Sequence, residues 1–329
     1  MRILVIDVAA QHGGAQSILE RFLADFRRDA GNEYVVVLST PVYEDEARVR
    51  FVNVPWVKRS YLHRLFFDNV YVHKLIRTYR PDKVLSLQNK AVRAGGVPQE
   101  VYYQNILPLA ERRFGLKESK ELWLYQNVIG RLYRRSLRRV ARIYVQADWI
   151  KNALADKWKI AAEKISVVRP EPDPAYAAGD GPTEKPDCFF YPANGAVYKN
   201  HETLLRALQA LRWDEGREKL PLVLTCRKDE LPAGARRLVD EGAWPVVFAG
   251  RLTREDMIEQ YRRSVLVFPS YLETVGLPLL EAKALRRPIL AADREYARET
   301  LGQYGDVLYF DPLDVPSIGQ AVATYLRRG

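Results

Sequence analysis

The stretch Glu273-Thr-Val-Gly-Leu-Pro-Leu-Leu-Glu281 holds two carboxylates with seven residues between them. It follows the apolar run Val265-Leu-Val-Phe-Pro269 and Ser270. Together they read as a strand, a loop carrying Glu273, and a helix whose first turns carry Glu281. A helix beginning near Leu277 or Pro278 directs its free N–H groups at that loop, and such an end attracts anions, phosphates above all. One carboxylate beside it, and a second one turn on, can each hold hydroxyls. The arrangement suits a nucleotide-linked sugar.

Outward from this stretch, strands and helices alternate. Ile3–Val8, Tyr34–Ser39, Lys83–Leu87, Val101–Tyr103, Ile143–Gln146 and Ile165–Val168 read as strands of a first half. Ala15–Phe26 puts Ile18, Leu19, Phe22, Leu23 and Phe26 on one helical face. Val70–Tyr79 reads as a helix stopped before Pro81, and Asp148 is the expected cap of a helix over Trp149–Trp158. Residues 169–187, with five prolines among Gly, Ala and acidic residues, read as a linker. Strands resume at Cys188–Pro192, Leu222–Thr225, Val246–Ala249, Val265–Phe268, Ile289–Ala291 and Val307–Phe310. Thr253 with Asp256 resembles a capping box. Such alternation predicts α/β domains, each a parallel sheet covered by helices on both faces. Ligands of open α/β sheets bind beyond the C-terminal strand ends, and each motif here lies just after a strand.

Composition narrows the partners. The chain has 329 residues, 47% hydrophobic, enough for two ordinary domains. No apolar run approaches the roughly 20 residues of a membrane span. The first strand begins at once, so no signal peptide is expected. Cys188 and Cys226 lie in apolar runs far apart and read as buried free thiols, which points to the cytoplasm. Residues 1–168 hold 29 Lys and Arg against 17 Asp and Glu, a balance of +12, whereas residues 169–329 balance at −2. The basic half implies an anionic partner: nucleic acid, anionic lipid or a phosphorylated substrate.

The stretch 273–281 resembles the E-x7-E signature of retaining glycosyltransferases of the GT4 type (glycosyltransferase group 1). Further stretches occur in that family's order: Tyr198-Lys-Asn-His201, Phe248-Ala-Gly-Arg-Leu252, Arg254–Tyr261, Val265–Ser270 and Tyr309-Phe-Asp-Pro312. Residues 188–325 resemble its C-terminal domain, and the first half resembles it more loosely. The resemblance implies the GT-B fold, two Rossmann-like parallel-sheet domains facing a cleft. The expected division is 1–168 as an acceptor- and membrane-facing domain and 169–187 as linker. Residues 188–314 would form the nucleotide-sugar domain, with 315–329 a helix packing back on the first domain.

The resemblance also implies roles. Glu281 would hold ribose hydroxyls, while Glu273 and the backbone of Val275, Gly276 and Leu277 would face the sugar. Lys199, with Asn194 before it, would meet the diphosphate; the plain alternative is a surface lysine at a helix entry. Relatives carry an Arg five or six residues earlier, where this chain has Ala193 and Asn194. Arg251 is the candidate replacement, or else a contact to base or ribose. His12, Gly13 and Gly14 form a loop suited to donor phosphate and acceptor, or a plain turn. Gln104 and Asn105 stand where relatives carry a His; they bind hydroxyls or form an ordinary polar loop. Glu171-Pro-Asp173 has the spacing of a metal motif but lies in the linker, so neither metal nor other cofactor is expected.

The function implied is transfer of a sugar from a nucleotide diphosphate to a hydroxyl of a lipid-linked glycan. The implied setting is bacterial surface polysaccharide assembly in the cytoplasm, at the inner membrane face. Basic, aromatic-rich residues 59–67 and 112–142 read either as a surface for anionic lipid or as amphipathic helices with solvated faces. A sugar-nucleotide epimerase or hydrolase is the second reading. A nucleic-acid-binding protein is the third, although no nucleic-acid module is present.

Overall fold

The computed structural model describes residues 1–9, 14–177, 185–211, 219–242 and 244–328. They divide into two compact units, Met1–Arg169 and Pro170–Gly329, so the break falls at the head of the proline-rich segment.

In the first unit, seven strands form one parallel sheet. They are β1 (Arg2–Asp7), β2 (Glu33–Leu38), β3 (Val49–Asn53), β4 (Lys83–Ser86), β5 (Gln99–Tyr102), β6 (Arg142–Val145) and β7 (Ile165–Val167), in the order β3-β2-β1-β4-β5-β6-β7. The helices are α1 (Gly14–Arg28), α2 (Tyr61–Phe66), α3 (Val72–Tyr79), α4 (Lys120–Leu124), α5 (Gly130–Leu137) and α6 (Asp148–Trp158). Strand β1 is apolar at its four central positions, Ile3 to Ile6, because both sheet faces are covered. Ile3 and Val5 pack with Leu19, Leu23 and Phe26 of α1, while Leu4 and Ile6 pack with Phe67, Val72 and Leu75 on the other side.

The second unit holds β8 (Cys188–Tyr191), β9 (Leu222–Leu224), β10 (Val246–Phe248), β11 (Ser264–Phe268), β12 (Ile289–Ala292) and β13 (Val307–Phe310). Their order is β10-β9-β8-β11-β12-β13, again all parallel. Its helices are α7 (His201–Ala210), α8 (Ala233–Asp240), α9 (Arg254–Arg262), α10 (Leu277–Ala284), α11 (Glu295–Leu301) and α12 (Val315–Arg328). Helix α12 packs on α7 and β13, and Tyr325 meets Phe189 edge-on. These are contacts inside the second unit.

Three local readings need correction. Strand β3, passed over in the sequence because Arg50 and Asn53 interrupt its apolar residues, forms the sheet edge, where one side needs no strand partner. Asp148 does not cap α6: Ala147 holds that position, and the Asp148 carboxylate pairs with Arg169. The helix expected over Val70–Tyr79 is the last part of a longer segment. It begins at Tyr61, where Ser60 caps the N–H of His63, and passes through a π turn at Phe67–Tyr71. Its end is as expected: Arg80 turns left-handed before Pro81. Thr253 does cap α9, accepting from Asp256 N at 3.1 Å.

Candidate active site

In each sheet the strand order reverses beside the first strand of the unit, and the crevice at such a reversal is where open α/β sheets take ligands. In the second sheet this point lies between β8 and β11. The loops that follow are 192–200, carrying Asn194 and Lys199, and 269–276, carrying Glu273, Val275 and Gly276.

These two loops are bound together. Tyr271 N and the Ser270 hydroxyl both donate to Tyr198 O, at 3.1 and 3.2 Å. Asn200, left-handed at φ 65°, donates to Pro269 O at 3.2 Å and Pro312 O at 2.6 Å. Tyr191, from β8, donates its hydroxyl to Lys199 O at 2.7 Å. The Lys199 backbone is thus held from below, and its ammonium sits 2.5 Å from Glu273 Oε1, both side chains 15% exposed. The residues expected at sugar and diphosphate therefore form one ion pair. A partly dehydrated pair of this kind is costly to break, so an arriving anion meets an ordered cation.

Gly276 is left-handed at φ 74° and starts α10 at Leu277, with Pro278 in the first turn. A Cβ on Gly276 would come within 3.2 Å of Leu279, Phe268 and Tyr296, so glycine answers both the φ and the space. Thr300 donates to Val275 O at 2.7 Å, and Tyr296 to Ser270 O at 2.5 Å. Among the described residues the N–H groups of Gly276 and Leu277 have no backbone acceptor. Such an open helix end favours anions, and the loop just before it carries Glu273, the partner of Lys199.

Glu281 lies on the second turn of α10. Its Oε2 accepts from the Tyr261 hydroxyl at 2.6 Å, and burial raises its pKa above the ordinary carboxylate value although that bond pulls it down. Tyr176 packs edge-on to Tyr261, their rings 6.0 Å apart. Tyr176 and Tyr261 were not singled out in the sequence: the first sits in the proline-rich segment, the second on an ordinary amphipathic helix. An aromatic residue amid prolines was the one available signal. Asp173, of the possible metal motif, pairs instead with Arg254 and accepts from Ala175 N at 3.0 Å.

The other expected residues are placed as follows. Asn194 accepts from Ala196 N at 3.1 Å, shaping the loop that leads to Lys199. Gly195 passes so close to Glu230 that a Cβ would lie 1.8 Å from its carbonyl oxygen. Arg251 is exposed, after Gly250 at the end of edge strand β10. Strands β9 and β8 separate it from β11, about 14 Å at the usual strand spacing. Lys199 follows β8, two strands from β10, and Glu273 follows β11, three strands away. Behind that pair, His201 is buried against Tyr191 with Nδ1 unpartnered among the described residues; burial lowers its pKa to about 3. Cys188 and Cys226 are buried free thiols, pushed up to about 12 and about 11 by burial.

In the first unit, Gln104 N and Asn105 N donate to Asn89 Oδ1 at 2.7 and 2.9 Å, which joins the loops after β5 and β4. Asn105 Oδ1 accepts from Leu107 N at 3.2 Å. Gly14 opens α1, whereas His12 and Gly13 lie outside the described residues.

Two family models match the chain: Glycosyltransferase Family 4 over residues 12–175, and Glycosyl transferases group 1 over residues 186–328. The chain belongs to the group 1, family 4 glycosyltransferases. A curated relative, O-antigen chain mannosyltransferase B of Escherichia coli, is 30% identical over 140 residues. That match covers 39% of this glycosyltransferase and spans 34% of the relative's length. Among solved structures, HepE of Anabaena in complex with UDP-glucose has a TM-score of 0.69 at 15% identity, covering 100% of this chain and 90% of that one. WaaG, described as a glycosyltransferase involved in lipopolysaccharide biosynthesis, has a TM-score of 0.68 at 15% identity, covering 99% and 92%. These likenesses show the fold, that of GT-B glycosyltransferases: two Rossmann-like units of parallel sheet.

Proposed function

We propose that this glycosyltransferase moves a sugar, with retention, from a nucleotide diphosphate to a hydroxyl of a lipid-linked glycan. The observation that carries the reading is the Lys199–Glu273 pair, joined to the open end of α10 at the reversal point of the second sheet. The donor diphosphate lies against Lys199 and the N–H groups of Gly276 and Leu277. Glu281 accepts ribose hydroxyls and Glu273 faces the sugar. Arg251, at the sheet edge, is assigned to base or ribose. The C1–oxygen bond to phosphate breaks as the acceptor oxygen bonds C1 on the same face. A departing phosphate oxygen takes the acceptor proton. Lys199 and the α10 dipole stabilise the charge that develops, so the chain acts by positioning and electrostatics, without metal.

The first unit is assigned to the acceptor, with Asn105 and Gln104 toward its hydroxyls. The similarity to an O-antigen chain mannosyltransferase and to a glycosyltransferase of lipopolysaccharide biosynthesis supports surface polysaccharide assembly as the setting. Anionic membrane at the inner face is the proposed support. Tyr61, Leu62, Phe66 and Val70 are each at least 50% exposed beside Arg59. Leu124, Val128 and Leu132 repeat every fourth residue along α4, the π turn at Tyr125–Ile129 and α5, beside the exposed Arg131 and Arg135. Exposed apolar side chains among cations suit an anionic bilayer surface. Among the described residues no helix is long and apolar enough to cross one.

The test of the donor assignment is a thermal-shift panel of UDP-, GDP-, ADP- and dTDP-sugars, since a ligand of the native state raises Tm. At least one should raise Tm in the wild type and fail to do so in Glu281→Ala. No shift with any of them would sink the assignment. Fast donor turnover without acceptor would mark a hydrolase instead. Co-sedimentation with phosphatidylglycerol vesicles, lost in Leu62→Ser/Phe66→Ser, tests the membrane face; unchanged binding would refute it.

A further inference from the structure

The reversal point of the first sheet lies between β1 and β4, and the loop after β4, Gln88-Asn89-Lys90, borders it. Facing that loop, the π turn after α2 supplies Asp68, which is 5% exposed. Asp68 Oδ2 accepts from Arg64 Nε at 3.1 Å and from Lys90 Nζ at 2.5 Å. Its Oδ1 accepts from Gln88 Nε2 at 3.2 Å, and Arg64 Nη2 donates to Gln88 Oε1 at 2.6 Å. One carboxylate is therefore shared by two cations. Two cations against one carboxylate leave the cluster with a net positive charge.

The surroundings favour a ligand as its counterpart. Arg64 and Lys90 are 22% and 26% exposed, so their heads reach the crevice while their stems are covered. Lys58 stands in the same field: burial lowers its pKa, Arg64 lowers it further and Asp7 raises it. It also donates to Thr40 Oγ1 at 2.8 Å. Tyr133 of α5 lies close enough to Arg64 and Asp68 for both charges to act on its hydroxyl, which burial pushes up to about 12. Cations and hydroxyl-binding groups thus share one end of one sheet.

We propose that this crevice of the first unit is an anion subsite, taking a phosphate or carboxylate substituent of the sugar acceptor between Arg64 and Lys90. Lys58 adds to the attraction, and Asn105 and Tyr133 meet the hydroxyls of the same sugar. The inference deepens the acceptor role assigned to this unit and rests on it. An anion draws the two cations partly away from Asp68, and charge-assisted bonds replace what they give up.

The experiment titrates the full chain by calorimetry with glucose 6-phosphate, glucuronate and glucose. Nucleoside diphosphates are titrated in parallel to report on the second unit. Wild type and Lys199→Ala should bind one or both anionic sugars about tenfold more tightly than glucose, as charge-assisted bonds require; which of the two binds identifies the substituent. Arg64→Gln/Lys90→Gln should lose that preference and keep nucleoside diphosphate binding. Asp68→Asn keeps both cations and removes their internal anion, so it should tighten anionic sugar binding by about threefold or more. It also decides the matter if the double variant fails to fold. Equal binding of the three sugars, no binding of either anionic sugar, or a preference that survives Arg64→Gln/Lys90→Gln would overturn the subsite. So would a preference lost in Lys199→Ala, or weaker binding in Asp68→Asn. Loss of nucleoside diphosphate binding in the wild type, with the sugar preference intact, would refute the donor assignment and leave the subsite standing.

Discussion

Replacing Lys199 by Ala separates a cation that binds a diphosphate from one that merely neutralises Glu273. The backbone at 199 is held by Tyr191 at 2.7 Å and by its own N–H to Ala196 O at 2.9 Å, neither of which needs the side chain. The loop therefore stays in place when the ammonium is removed. The Glu273 carboxylate, 15% exposed, then loses a partner at 2.5 Å. Fully buried pairs cost more to break, but water reaches this one, so the expected loss of stability is about 2 kcal/mol. A charge-assisted bond to a diphosphate contributes about 1.5–3 kcal/mol, so the Kd for the nucleoside diphosphate should rise roughly 10- to 150-fold. Calorimetric titration of Lys199→Ala, Glu273→Gln and the double variant reads the Kd, and urea midpoints of the same variants read the stability. If Lys199 contacts the diphosphate, binding stays weak in the double variant, because neutralising Glu273 does not restore the donor. If Lys199 only offsets the negative charge of Glu273, the double variant recovers near wild-type affinity. That recovery would refute the clamp.

Three further outcomes follow from the same geometry. Burial raises the Glu281 pKa, so donor affinity should fall with acidity from a pH above the ordinary carboxylate range, about 4.3; a Kd profile that Glu281→Gln leaves unchanged would contradict the ribose role. His201, held neutral with a pKa of about 3, titrates near 6.5 when unfolded, so the unfolded chain takes up its proton first and stability falls as pH drops below 6.5. The loss from this residue should be about 2 kcal/mol between pH 7 and 5. The raised pKa of Glu281 acts in the opposite sense, adding stability as pH falls. Urea midpoints of wild type and His201→Phe at the two pH values isolate the histidine, and equal slopes would exclude it. Gly195→Ala puts a methyl 1.8 Å from Glu230 O and must displace the Lys199 loop by about 1 Å; turnover should drop about 100-fold, and unaltered turnover would show that the loop position is not critical.

Much of the fold can be read from periodicity. Twelve of the thirteen strands among the described residues correspond to runs such as Ile3–Val8 and Val265–Phe268, which are apolar because both faces of a parallel sheet are covered. Edge strand β3 carries Arg50 and Asn53 because its outer side meets solvent, and that removed its signal. Helix starts are less legible. A Thr253 cap shows in three residues, but α6 starts after Ala147 with no side-chain cap, and the Asp148 carboxylate serves Arg169 instead. The π turn at Phe67–Tyr71 leaves no mark in the hydrophobic pattern, yet it places Asp68 against Lys90.

By itself, the order of residues determined two α/β units, a boundary at the head of the proline-rich segment, and the stretch 273–281 as the start of a helix with a carboxylate on either side. These follow from local rules: apolar periodicity, proline's missing N–H, and glycine's freedom at positive φ. Tertiary structure alone decided that Lys199, 74 positions before Glu273, meets it at 2.5 Å, that Tyr261 holds Glu281, and that Arg251 follows a strand at the sheet edge. It also gathered Arg64, Asp68, Gln88 and Lys90 at one end of the first sheet. Strand order sets which loops become neighbours, and that order arises from packing whole helices and strands, a property no local window of sequence contains.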